Sequence, residues 1–199
     1  MKKALRTTFA LMICAVIIVG FYMYLNKAAG DRTEDKQQTA AVTEKNRLLE
    51  ADFVKYYPPT PREVMKWYNR YSKLCFGENK PSKKETTQIA ANMHMLLDSE
   101  LATQNGEKEY ADSLWKEVQD FKQRKAKLVE TQVCDTDDVI YKTVKDKNYA
   151  YVQTSYFVRE ASTYTKTYQK FVLREDSEGN WKILGFTRTD QDGTPKETN

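Results

Sequence analysis

A helical apolar period that gives way to an alternating one marks this chain as α+β. The reading is three N-terminal helices packed on a curved, mostly antiparallel five-stranded sheet, preceded by one transmembrane helix. Three observations carry it. An uncharged apolar run opens the chain, capped apolar stripes fill Thr60–Phe121, and β-rich runs parted by turn residues fill Leu128–Thr187.

The opening run is the anchor, residues 1–25. No charge occurs between Arg6 and Lys27, so Thr7–Asn26 is a 20-residue uncharged stretch. At 1.5 Å per residue it reaches about 30 Å, the thickness of a hydrocarbon core. Lys2, Lys3 and Arg6 precede it, which favours a cytoplasmic N-terminus and an extracytoplasmic domain in a single-pass cell-membrane protein. Tyr22 and Tyr24 fall where aromatic rings prefer the outer interface. The rival is a cleaved signal peptide ending near Ala28-Ala29-Gly30, although the apolar stretch exceeds the usual ~7–15 residues of such a core. Cys14 is preceded by Ile13 and lies mid-run, which argues against a lipid-modified cysteine.

Residues 26–56 read as a polar linker. Only Leu48, Leu49, Phe53 and Val54 suggest a short amphipathic turn within it. The domain is expected over 57–189. Tyr57-Pro58-Pro59 blocks an earlier helix, and Thr60-Pro61-Arg62-Glu63 is a capping box with Pro at the first helical position. Val64, Trp67, Tyr68, Tyr71, Leu74 and Cys75 form the first helical stripe, which Gly77 ends. Ser82-Lys83-Lys84-Glu85 opens a second helix bearing Ile89, Met93, Leu96, Leu97 and Leu101, which ends at Asn105-Gly106. Ala111, Leu114, Trp115, Val118 and Phe121 mark a third.

The period then changes to two. Leu128–Cys134, Val139–Val144, Tyr149–Val158, Lys166–Arg174 and Trp181–Thr187 predict five strands, with turn residues at Asp146-Lys147-Asn148 and Asp176–Asn180. Asp190–Asn199 has no apolar residue and is expected as a disordered tail.

The stretch Tyr168–Phe186, YQKFVLREDSEGNWKILGF, joins a long strand, an acidic Gly-containing turn and a W-K-I strand. With the helices-first layout of Thr60–Arg188, it resembles the last hairpin of the nuclear transport factor 2-like superfamily. That cone-shaped α+β fold is shared with ketosteroid isomerases and limonene epoxide hydrolases. The resemblance implies a cavity between helices and sheet, and exported single-span proteins of this kind resemble assembly factors of bacterial secretion and conjugation machines. A small strand between the second and third helices, usual in that superfamily, is not legible here. No catalytic residue of those enzymes can be matched in this sequence.

Charge and motifs narrow the function. The formal charge is +4, but removing Lys2, Lys3 and Arg6 from the 32 basic residues leaves 29 against 28 acidic ones. A near-neutral domain gives no electrostatic reason to expect nucleic acid. His94 is the only histidine, placed one position off an apolar stripe, and reads as a boundary residue. One histidine and three unclustered cysteines give no metal-ligand spacing. Asp135-Thr136-Asp137-Asp138 departs from a calcium loop, since Val139 and Ile140 occupy the next two positions, and reads as a turn. Cys75 and Cys134 sit among apolar residues and read as two separate thiols, with pairing left open. Tyr68, Tyr71, Tyr151, Tyr156 and Tyr168 read as core, with an aromatic pocket as the alternative.

No catalytic residue, metal site or cofactor is therefore assigned. The expected role is a membrane-tethered binding or assembly module with a protein or cell-envelope partner; the alternative is a small-molecule-binding or hydrolytic envelope enzyme using the cavity. Alternation along the third strand puts Ala150, Val152, Thr154, Tyr156 and Val158 toward the helices. The other face then carries Tyr149, Tyr151 and Phe157, the candidate binding residues. Cover by the linker, or by a second copy in a homodimer, is the competing explanation of that face.

Overall fold

A computed structural model describes residues 42–195. The expected anchor, most of the linker and residues 196–199 lie outside the described residues. Among the described residues no helix is long and apolar enough to cross a membrane. Among the described residues the architecture is α+β, with five α-helices and a five-stranded antiparallel sheet.

The helices are α1 (residues 42–49), α2 (Pro61–Phe76), α3 (Lys83–His94), α4 (Ser99–Gln104) and α5 (Glu107–Gln123). Local signals start α2 and α3. The Thr60 hydroxyl accepts from Glu63 N at 3.2 Å with Pro61 at the first turn, and Ser82 and Glu85 form a complete capping box. The expected second helix, however, is two helices. It stops at His94, and Leu96–Asp98 pairs with the sheet instead: Ile183 N donates to Leu96 O and Asp98 N to Ile183 O, each at 2.8 Å. The result is one parallel bridge, Leu97 to Ile183. Asp98 then caps α4 by accepting from Glu100 N at 2.9 Å. Tertiary pairing has replaced helical bonds in a stretch with no Gly or Pro to announce the break.

The strands are β1 (Ala126–Val133), β2 (Ile140–Val144), β3 (Lys147–Glu160), β4 (Thr163–Glu175) and β5 (Trp181–Thr189). β3, β4 and β5 form a meander. β1 and β2 share one edge of β3: β2 pairs with residues 147–151 and β1 with 154–160. A short 3-10 turn, Thr136–Asp138, connects them.

One sheet face packs on the helices. Val64, Met65, Ile89 and Val118 from the helices, and Leu96 from the segment between α3 and α4, meet Ala150, Val152, Phe171, Leu173 and Ile183 from the sheet, all buried. Ala150, Val152 and Thr154 are buried while Tyr149, Tyr151 and Gln153 are only half-buried, so the alternation along β3 puts the first set inward.

Two boundaries differ from the sequence reading. The folded unit begins before Tyr57, because Leu48 (1% exposed) and Phe53 (4%) belong to the core. Leu48 O accepts from Tyr71 Oη at 2.9 Å and from Asn92 Nδ2 at 3.1 Å, and Phe53 packs edge-on against Trp67 at 5.1 Å. At the other end, residues 190–195 are not a frayed tail. Asp190 N donates to Thr194 O, Gln153 Nε2 donates to Gln191 O at 2.8 Å, and Lys170 Nζ donates to Gly193 O at 2.5 Å. Gly193 has φ +79°, a left-handed conformation that favours glycine. Polar bonds to two distant strands, rather than apolar burial, hold the segment on the outer sheet face.

Candidate functional site

Two regions gather chemistry-bearing side chains: the helix–sheet interior and the outer face of β3. In the interior, α2 supplies Tyr68, Asn69 and Cys75, α5 supplies Tyr110, with the exposed Glu117 at its rim, and β3 supplies Thr154 and Tyr156. The Tyr156 hydroxyl donates to Asn69 Oδ1 at 2.9 Å, linking sheet to helix. Asn69 is 3% exposed and Thr154 1%, yet Asn69 Nδ2 and Thr154 Oγ1 have no hydrogen-bond partner in the structure. Such orphaned groups carry a desolvation cost that a bound polar molecule or ordered water would relieve.

Burial keeps the phenols and the thiol of this interior protonated. Burial, then the nearby Glu117 charge, pushes Tyr68 up to about 12. Burial raises Tyr110 and Tyr156 well above the ordinary phenol range, and pushes the Cys75 thiol up to about 12. The Glu117 carboxyl is raised by burial first and by Asp120 second. The phenols and the thiol are therefore hydrogen-bonding groups at neutral pH, not nucleophiles or bases. The five tyrosines considered for a pocket are not one group. Tyr68 and Tyr156 line this interior, the Tyr71 hydroxyl serves the core through Leu48, and Tyr151 and Tyr168 lie on the opposite face of the sheet.

On that outer face, Tyr149 and Tyr151 are neighbours across β2 and β4. Tyr149 stands between Lys142 and Arg174, and Tyr151 between Ile140 and Val172. Lys142 Nζ sits 5.5 Å from the Tyr151 ring centroid. Arg174 is braced by Asp98, whose side chain is 4% exposed, and reaches Glu100 at 2.8 Å. Phe157 is not part of this group. It stacks on Tyr164 at 5.4 Å and 16°, eight residues along β3, and the 190–195 segment is bonded to Gln153 in between. The three candidate binding residues are thus a tyrosine pair and a separate aromatic pair.

The remaining candidates are structural in placement. His94 Nε2 lies 2.9 Å from Asn105 O, tying the end of α3 to the turn before α5, and its ring packs 5.9 Å from Tyr110. Cys75 and Cys134 are both free. Asp135, Asp137 and Asp138 are exposed around the 3-10 turn, and among the described residues no group of three or more His, Cys, Asp or Glu could hold a metal ion. The sequence reading missed Asn69 and Tyr110. Asn69 was visible as a polar residue four positions after the buried Met65 and next to Tyr68.

No curated protein matches this chain in sequence. The model of the family described as Domain of unknown function (DUF6715) matches residues 1–186, spanning the N-terminal run, all the helices and most of the sheet, and the chain belongs to that family.

Proposed function

We propose that this protein is a membrane-tethered, extracytoplasmic binding or assembly module of the nuclear transport factor 2-like kind, without catalytic activity. It holds a protein or cell-envelope partner on the outer face of its sheet at Tyr149 and Tyr151. The observation that carries the reading is the one-sided sheet: helices cover the inner face of β3, and the Tyr149–Tyr151 end of the outer face stays half-exposed. Tyrosines on an open face, flanked by Lys142 and Arg174, suit a protein interface. The superfamily reading is supported by the helix layer on an antiparallel sheet and by the Leu96–Asp98 segment, which pairs with β5 between the second and third long helices. The tether rests on the uncharged Thr7–Asn26 run and the cations before it.

A second reading, a small-molecule-binding or hydrolytic envelope enzyme, is favoured by the orphaned Asn69 Nδ2 and Thr154 Oγ1 beside Tyr156. Crosslinking in intact cells followed by isolation from the membrane fraction separates the two. Under the module reading Tyr151→Glu leaves the protein folded and abundant but loses the crosslinked partner, whereas Tyr156→Phe keeps it. Loss of function with Tyr156→Phe at normal abundance, with Tyr151→Glu silent, would replace the module by the enzyme.

A further inference from the structure

β2 is an edge strand exposed along its whole length. All five residues, Ile140–Val144, are exposed, and Ile140, Tyr141 and Val144 remain 49%, 55% and 50% accessible. Its only strand partner among the described residues is β3, so its other backbone edge has no ladder. A β-branched and aromatic edge of this kind is a template for another strand.

The charges around it are arranged by direction. The acidic turn Asp135, Asp137 and Asp138 precedes β2, and Lys142 and Lys145 lie on it or just after it, followed by Asp146 in the turn and Lys147 opening β3, all exposed. Edge lysines ordinarily block pairing. Here each end of the strand carries the counter-charge of the other. Antiparallel pairing of two copies centred on Lys142 would set that lysine against itself. Centring on Tyr141 places Asp137 of one copy toward Lys145 of the other, pairs no two like charges within β2, and sets the two Tyr141 rings side by side. The two-residue turn at Lys145 and Asp146, with φ 51° and 60°, ends the β2–β3 hairpin tightly, so the edge beyond it is clear for the partner's turn.

We infer that two copies of this chain pair edge to edge through β2, antiparallel about a two-fold axis at Tyr141, with the acidic turn of each against the basic turn of the other. The interface uses the free edge of β2 rather than the tyrosine face, so it stands or falls separately from the partner reading above.

The test is the oligomeric state of the full chain in detergent micelles, by light scattering across a dilution series. The unsubstituted chain dimerises, more weakly at high salt. Asp137→Lys and Lys145→Glu each weaken self-association by about tenfold or more, because each sets like charges together twice per dimer. An equal mixture of the two variants restores the dimer, since every pair at the heterodimer interface is again of opposite sign. Tyr141→Cys forms a disulfide-linked dimer on mild oxidation faster than Lys147→Cys, whose copies stand far from the axis. A monomeric unsubstituted chain, single variants that dimerise normally, or a mixture no tighter than its components would each overturn the proposal; a monomer that captures an acidic peptide through Lys142 and Lys145 would replace it.

Discussion

Removing residues before Tyr57 tests whether Leu48 and Phe53 belong to the folded unit. Two fragments are compared, one starting at Arg47 and one at Tyr57, both ending after Pro195. The shorter loses Leu48 and Phe53, buried to 1% and 4% exposure, together with the Leu48 carbonyl that Tyr71 and Asn92 share. Losing a buried Leu costs ~2–5 kcal/mol and a buried Phe ~3–5 kcal/mol, counting transfer and cavity together. Stranding two buried donors adds ~1–3 kcal/mol each. Even the low ends together, about 7 kcal/mol, fall within the ~5–15 kcal/mol that stabilises a whole domain. The Arg47 fragment should give a cooperative urea transition with fixed near-ultraviolet circular dichroism, and the Tyr57 fragment should have neither. In the longer fragment Phe53→Ala should cost ~3–5 kcal/mol, and Val54→Ala, at an 86% exposed site, almost nothing. Fragments that melt within ~1 kcal/mol of each other would refute the assignment of Leu48 and Phe53 to the core.

Three further outcomes are expected. With Gln37→Cys, a membrane-impermeant thiol reagent should label the chain in intact cells; labelling only after lysis would reverse the proposed orientation. His94→Gln should rescue every phenotype of a deletion, since the amide can replace the contact to Asn105 O; failure at normal abundance would give His94 a chemical role. Glu117 is raised by burial and Asp120, so folding favours its protonated form: its contribution is fully present below the unfolded-state value near 4.5 and is lost as pH rises through the higher folded value. Glu117→Gln should therefore raise the melting temperature at pH 7, with the gain vanishing near pH 4; an equal gain at both pH values would place the effect elsewhere.

What could be read from the sequence follows from how local its cause is. The starts of α2 and α3 were legible because Thr60, Pro61, Ser82 and Glu85 act within four residues. The β strands were legible because alternation records a sheet with one covered face. The break at Leu96–Asp98 was not, because its cause is Ile183, far along the chain, and the apolar period runs through it unbroken. Leu48 and Phe53 were too few to stand out in a polar stretch. The 190–195 segment has no apolar residue to betray its docking, which depends on Gln153 and Lys170. The site divides in the same way. Alternation separated Tyr149 and Tyr151 from the inward residues of β3. Their separation from Phe157 was hidden, because it depends on where the C-terminal segment crosses and on the stacking with Tyr164.

The order of elements along the chain also constrains how this fold can be reached. Among the described residues every α-helix precedes every strand, so Val64, Ile89 and Val118 leave the ribosome long before Phe171, Leu173 and Ile183, the residues that bury them. The helical half cannot complete its core alone and must wait for the last third of the polypeptide. The meander shortens that wait: β3, β4 and β5 form successive hairpins with little loop to close. β1 and β2 follow the same rule, since they lie end to end along one edge of β3 and close onto it after a single tight turn. A chain threaded unfolded across a membrane from its N-terminus would thus arrive with its helices bare, and translation stopped before β5 would yield a species that holders of unfolded chains recognise, not a smaller version of the domain.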